Sequence, residues 1–396
     1  MSDAVHVRHL SLTQRGDQQR LAAEIDGDLV GFDAPAGTFL APRAEPFLAL
    51  ALQEAMARRV PLVLDPAHRV SPAWVRNLQR VQAVLLSWND EDMGRVPVQA
   101  MTAPEPEHRG WGLSTFSGGV DSSYTFMRCR DQVSHVLLVQ GFDTDDEDGW
   151  RRNVAARRAF ADRQGVALLP VANNVRSFLQ QRRLSWNLAH GGLLASLGVA
   201  LGARGVVIPS TFTYSHLIPW GSHPLLDPLW STDQTTVTHH GADCGRTEKT
   251  RQLLQSPELL DQLQVCWRSV DQNCGECPKC IRTSLALYLL GARSAKLPPY
   301  QSADQLAALR PTDGASLAYT EELIRLASVM GHPAVAQRLR RDRRRYLLKM
   351  HAVEWIKLLG GRRLKTWARG RSAALWRRDR VKLQAARDWL DEGVAP

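Results

Sequence analysis

Six consecutive residues, Ser117-Gly118-Gly119-Val120-Asp121-Ser122, bring together groups that bind an anion. The apolar run Leu113 to Phe116 before them reads as a strand, and Ser122 to Arg130 reads as a helix. Two adjacent glycines at a strand-to-helix turn admit backbone angles that other residues resist, and let N–H groups approach a phosphate closely. The helix adds its positive end, worth about 0.3–1 kcal/mol for a surface anion. Ser117 and Ser122 can donate hydroxyl hydrogen bonds. Asp121 would repel a bare phosphate, so its presence points to Mg²⁺ held between carboxylate and phosphates. A glycine turn with Asp and Ser as caps is the simpler alternative; the complete string in this setting favours nucleotide binding.

Cys266, Cys274, Cys277 and Cys280 form C-x7-C-x2-C-x2-C. Two-residue spacers let successive thiolates turn onto one ion, and Gly275 and Pro278 suit the tight turn between them. Four thiolates match tetrahedral Zn²⁺ in a closed, structural site. Cys277-Pro278-Lys279-Cys280 is also a redox-type C-x-x-C, and four thiolates can hold an iron–sulfur cluster. Of the remaining two cysteines, Cys129 reads as a buried helical residue, and Cys244 has no assigned role.

These groups need elements to hold them. Strand candidates at Leu113 to Phe116, His135 to Gln140, Val166 to Val171 and Gly205 to Ile208 alternate with helical stretches at Ser122 to Arg130, Gly149 to Gln164 and Ala189 to Leu201. That order predicts an α/β fold built on an open, parallel, doubly wound sheet, with ligands beyond the carboxyl ends of its strands. Pro-rich stretches at Thr102 to His108 and Ala295 to Asp304 suggest three domains: 1–108, a small N-terminal α/β accessory domain; 109–294, carrying both motifs; and 295–396, a basic α-helical region. In the first, Leu21 to Phe32 reads as a hairpin turning at Asp26-Gly27, Pro46 to Arg58 as a helix and Val60 to Leu64 as a strand.

The 396 residues are 44% apolar and 23% charged, which excludes a disordered or collagenous chain. Met1 to His9 lacks the apolar stretch of a signal peptide, and the few clustered cysteines suit a reducing, cytoplasmic compartment. The net charge of +10 belongs to the tail, where Arg338 to Pro396 holds 18 basic and 6 acidic residues. Leu339, Tyr346, Met350 and Val353 mark an amphipathic helix there, with Trp355, Trp367, Trp376 and Trp389 among the arginines. Arg with Trp suits nucleic acid, a membrane surface or an acidic protein; a basic bundle with Trp in its own core is the plainer reading.

The SGG-x-D-S string resembles the signature of the PP-loop ATP pyrophosphatases, which cleave ATP between its α- and β-phosphates. With the cysteine pattern about 150 residues later, the region 111–294 resembles the 7-cyano-7-deazaguanine synthase-like group of queuosine biosynthesis. Arg246-Thr247-Glu248-Lys249, Val265-Cys266-Trp267 and Cys280-Ile281-Arg282 extend the likeness. The group's Tyr-Pro-Asp-Cys-Arg-Pro stretch is replaced by His223-Pro224-Leu225-Leu226-Asp227-Pro228, which implies a different carboxylate substrate, small or conjugated. The resemblance implies a PP-loop/HUP-like fold with a zinc knuckle. It implies that Ser117, Gly118, Gly119, Val120, Asp121 and Ser122 hold the pyrophosphate part of ATP, with adenine around Val139 to Phe142. It further implies adenylation of a carboxylate with release of pyrophosphate, then conversion to an amide or nitrile by ammonia or an amine.

Other residues join as candidates. His190, read as opening a helix with Gly191 and Gly192, could orient substrate or relay a proton, or could simply cap while the glycines pack. The long stretch Ser210 to Thr232 offers His216, His223 and Asp227 for substrate. Arg246 and Lys249 could meet a phosphate or the substrate carboxylate; helix-surface charges are the alternative. Two rival functions remain: thiolation-type modification of RNA, with Cys244 as sulfur carrier and the tail on RNA, and a non-catalytic zinc-stabilised nucleotide-binding module.

Overall fold

Val5–Arg15 (β1), Gln18–Ile25 (β2) and Asp28–Pro35 (β3) form an antiparallel meander. Its second turn lies at Asp26-Gly27, both with positive φ (47° and 91°), the pair of left-handed residues that a tight hairpin matched to strand twist requires. Glu45–Arg58 (α1) follows, with Pro46 in its first turn and Phe47, Leu48, Leu50 and Leu52 buried. Leu62–Leu64 (β4), Pro72–Asn89 (α2) and Val98–Gln99 (β5) complete the N-terminal part, β4 running parallel to β1 and β5 to β4.

The middle of the chain alternates strand and helix: Gly112–Thr115 (β6), Val120–Arg128 (α3), His135–Val139 (β7), Glu147–Arg163 (α4), Ala167–Asn173 (β8), Val175–Gln181 (α5), Trp186–Ala200 (α6), Gly205–Pro209 (β9) and Thr236–His240 (β10). Consecutive buried residues such as Val136, Leu137 and Leu138 show why: a strand covered on both faces loses polar alternation. The structure, a computed structural model, describes residues 3–89, 91–140 and 146–359, the last seven by backbone alone.

The ten strands among the described residues join one sheet in the order β10-β9-β6-β7-β8-β3-β2-β1-β4-β5. From β10 to β8 every pairing is parallel. The chain runs outward from β6 through β7 to β8, then returns to lay β9 on the other side of β6. The order therefore reverses between β6 and β9, and the loops after those strands border that crevice.

The protein is an α/β protein with a large, mostly parallel sheet, and it divides into two compact units. One comprises Met1–Thr211, Pro219–Ala242 and Ser269–Asp271; the other comprises Phe212–Ile218, Asp243–Arg268 and Gln272–Pro396. These divisions differ from the two proline-rich boundaries. Residues 1–108 share their sheet with the middle segment, because β3 pairs antiparallel with β8 at Phe32↔Asn173 and Asp33↔Ala172. Glu105, in the first proline-rich stretch, accepts hydrogen bonds from Thr232 Oγ1 (2.8 Å) and Asp233 N (3.2 Å).

The second unit is helical: Arg246–Leu253 (α7), Pro257–Leu260 (α8), Pro278–Leu289 (α9), Gly314–Val329 (α10) and Pro333–Leu359 (α11). Ile281, Leu285 and Leu289 of α9 share a core with Leu323, Ile324 and Ala327 of α10 and with Ala336 and Leu339 of α11. The cysteine segment thus belongs with the C-terminal helices, and α9 is their common centre. Of the expected amphipathic stripe, Leu339 is buried, Tyr346 and Met350 are half-buried, and the side chain of Val353 lies outside the description. Trp355 lies in the backbone-only part, and Trp367, Trp376 and Trp389 fall outside the described residues. No helix among the described residues is long and apolar enough to cross a membrane.

Candidate functional site

The Ser117–Ser122 loop leaves the carboxyl end of β6, where Phe116 N donates to Leu137 O at 2.8 Å. Gly118 turns the chain with φ 77°, and Gly119 (φ −74°, ψ 173°) is the N-cap of α3. Ser117 Oγ accepts from Gly119 N at 3.3 Å and lies 3.3 Å from Ser122 Oγ, which also donates to Gly119 O at 3.1 Å. These contacts shape the bend from within. Ser117 is exposed, whereas Val120 and Ser122 are buried on α3. Val139 stands at the carboxyl end of β7, the neighbour of β6; Phe142 lies outside the described residues. The sheet therefore brings the loop and Val139 to one edge.

Beneath the loop lies a residue that its sequence alone does not single out. Arg157 of α4 is 2% exposed, its Nε donates to Asn153 Oδ1 at 3.2 Å, and its guanidinium lies 5.9 Å from the centre of the Phe116 ring. A Cβ built on Gly118 would fall 2.5 Å from each terminal nitrogen of this guanidinium. Burial lowers its pKa from 12.5 to about 10, so it stays charged at neutral pH.

His190 does not open its helix. Helix α6 begins at Trp186 with Ser185 as N-cap, so His190 sits one turn in, and its Nδ1 donates to Trp186 O at 3.2 Å. Its ring meets Trp220 edge-on at 5.3 Å, and burial lowers its pKa. Gly191 and Gly192 pack: added Cβ atoms would strike the Gly221–Ser222 backbone and the Trp230 ring. Gly221 N closes the contact on Asn187 O at 2.6 Å.

His223 and Asp227 come together nearby in sequence and space. Asp227 is fully buried and accepts from Ser222 Oγ (2.8 Å), His223 N (3.2 Å) and His239 Nδ1 (2.7 Å). Its carboxylate organises the loop from inside. His223 packs edge-on against Trp88 at 4.9 Å and accepts from Leu225 N through Nδ1; burial, with His239 nearby, lowers its pKa to about 3. The ring is neutral at physiological pH. His216 belongs to the other unit, where its Nε2 lies 3.5 Å from Glu321 Oε2.

In the second unit, Gly245 is the N-cap of α7, and Glu322 of α10 accepts from Thr247 N at 3.1 Å. Arg246 and Arg282 both lie against the Tyr319 ring, at 4.9 and 3.8 Å from its centre, and Phe212 stacks on the same ring. Lys249 is 1% exposed. Arg246 and Lys249 are therefore not ordinary helix-surface charges. Tyr319 and Glu322 come from α10, C-terminal to the cysteine segment.

The four cysteines converge within the same unit, with ligand atoms all within 4.8 Å of one another. Cys274 and Cys280 sulfurs are 4.0 Å apart, as are those of Cys266 and Cys277. Zn–S bonds of about 2.3 Å in a tetrahedron put sulfurs about 3.8 Å apart, so the set fits zinc. Backbone N–H groups of Arg268, Glu276, Cys277 and Cys280 point at the sulfurs from 3.3–3.5 Å. Burial opposes ionisation of Cys274, but the N–H donors of Glu276 and Cys277 outweigh it and bring the thiol down to about 7. Gly275 makes the turn with φ 71°. Asn273 locks the knuckle: Oδ1 accepts from Val265 N and Cys266 N, and Nδ2 donates to Leu263 O and Lys296 O. Among the described residues these cysteines form the only cluster of three or more His, Cys, Asp or Glu side chains placed to share one metal ion.

The expected site residues thus fall into two sets. Ser117 to Ser122, Val139, His190, His223 and Asp227 lie in the sheet-bearing unit; His216, Arg246, Lys249 and the cysteines lie in the helical one. The chain matches no model of a known protein family, no curated protein and no solved structure.

Proposed function

We propose that this protein is an ATP-dependent enzyme that adenylates a carboxylate, forms AMP and pyrophosphate, and passes the activated acyl group to ammonia or an amine. The observation that carries the reading is the place of the Ser117–Ser122 bend, at the N-terminus of α3 beside the β6/β9 reversal of strand order. That is where an open parallel sheet takes its ligand, and where N–H groups and a helix end converge on an anion.

A carboxylate is a poor electrophile because its oxygen leaves badly. Attack of that oxygen on the α-phosphate of ATP gives an acyl-adenylate and expels pyrophosphate; the amine then displaces AMP to give an amide. A second activation, at the amide oxygen, would give a nitrile. N–H groups of Gly118, Gly119 and Val120, with the hydroxyls of Ser117 and Ser122, would hold the leaving pyrophosphate. Mg²⁺ bound by Asp121 and the phosphates would neutralise the charge that develops there. Val139 would border the adenine. Zn²⁺ on Cys266, Cys274, Cys277 and Cys280 would brace the fold without entering the chemistry.

Incubation with ATP, Mg²⁺, ammonium and a panel of carboxylates, 7-carboxy-7-deazaguanine included, should release pyrophosphate. Asp121→Ala should abolish the release and Cys244→Ser should leave it unchanged. No release with any carboxylate contradicts the reading, and loss of activity in Cys244→Ser would favour sulfur transfer instead.

A further inference from the structure

We propose that Arg157 positions the diphosphate on the Ser117–Ser122 bend, a role that rests on the nucleotide reading above. The bend itself carries one acidic side chain, Asp121, and no basic one. A diphosphate brings two to three negative charges, and the loop offers it only N–H groups, hydroxyls and a helix end. The guanidinium of Arg157 is a cation set against the bend, close enough that a side chain at residue 118 would have to displace it. Gly118 is thereby favoured twice, by its φ of 77° and by the guanidinium that lies in its Cβ direction.

The surroundings hold that cation in place. Asn153, one turn earlier on α4, binds Nε, and the ring of Phe116, the residue just before the loop, lies below the planar group. Phe116 in turn stacks on Phe160 of the same helix, with ring centres 5.5 Å apart and planes within 5°. An anion close to a guanidinium that water does not reach is attracted with little screening. The group this recognises is a diphosphate, as inorganic pyrophosphate or as the end of a nucleoside triphosphate; AMP lacks it.

The test uses the full chain and isothermal titration with Mg²⁺-pyrophosphate, Mg²⁺-ATP and AMP, beside thermal melting. Arg157→Met should weaken pyrophosphate and ATP at least ten-fold while AMP stays within two-fold, and Arg157→Lys should recover part of the loss. A folded Arg157→Met protein that binds pyrophosphate like the parent overturns the proposal and leaves the nucleotide site standing. A parent protein that binds neither pyrophosphate nor ATP overturns the nucleotide reading itself. Should Arg157→Met fail to fold, Arg157→Lys decides: a selective loss of pyrophosphate affinity supports the role, and unchanged affinity overturns it.

Discussion

Asp227 and His239 are joined in the interior of the sheet-bearing unit by a 2.7 Å hydrogen bond from Nδ1 to Oδ2, with side-chain exposures of 0% and 4%. The same carboxylate takes Ser222 Oγ and His223 N, so one residue of a long loop fixes three donors. Asp227→Ala leaves those donors buried without an acceptor and should cost about 3 kcal/mol of stability. Ser222→Ala removes one neutral donor and should cost about 1 kcal/mol. Urea denaturation of the two variants checks the ratio; equal losses would deny Asp227 its organising role.

His223 makes stability depend on pH. Its pKa is about 3 in the folded chain against 6.5 as the ordinary value, so between these limits the unfolded chain binds the extra proton. Its contribution is complete above pH 6.5 and is lost progressively as pH falls towards 3. At pH 5 the loss should be about 2 kcal/mol. His223→Gln should flatten the difference in unfolding free energy between pH 7 and pH 5; an unaltered slope would show that the ring is already protonated when folded.

The cysteine knuckle predicts a graded response to substitution. Cys274→Ser or Cys277→Ser should abolish one equivalent of zinc and expose the segment around α9 to proteolysis, since Cys277 is the N-cap of α9 and that helix carries the helical core. Asn273→Ala keeps all four ligands but frees two N–H groups and two carbonyls, and should weaken zinc about ten-fold. Cys129→Ser should keep the metal. Zinc content by elemental analysis and a chelator titration separate these outcomes.

The two loop glycines should differ. Gly118→Ala meets a left-handed φ and the Arg157 guanidinium, and should lower stability by about 1–2 kcal/mol while weakening nucleotide at least ten-fold. Gly119 has an extended backbone (φ −74°), so Gly119→Ala should melt close to the parent. Equal melting temperatures for both variants would contradict the conformation described.

Much of the sheet was legible because buried parallel strands appear as uninterrupted apolar runs. Leu113 to Phe116 and His135 to Gln140 match β6 and β7 within a residue or so at either end. The Asp26-Gly27 turn was legible because its chemistry is local. What escaped depends on distant partners. Nothing near Phe32 announces Asn173 as its neighbour, so the N-terminal meander read as a separate domain. The Gly191-Gly192 pair looks like a helix start, but α6 begins after Ser185, and those glycines serve close packing within the helix. Arg157 and Asn273 look like any helix arginine or loop asparagine until the fold brings Gly118 and the cysteine backbone against them.

The most direct test is a crystal structure with the α,β-methylene analogue of ATP, which keeps the triphosphate but cannot lose pyrophosphate. The account predicts its β- and γ-phosphates against the N–H groups of residues 118–120, at the carboxyl edge between β6 and β9. A nucleotide bound elsewhere with that bend empty, or no bound nucleotide at saturating concentration, would contradict it.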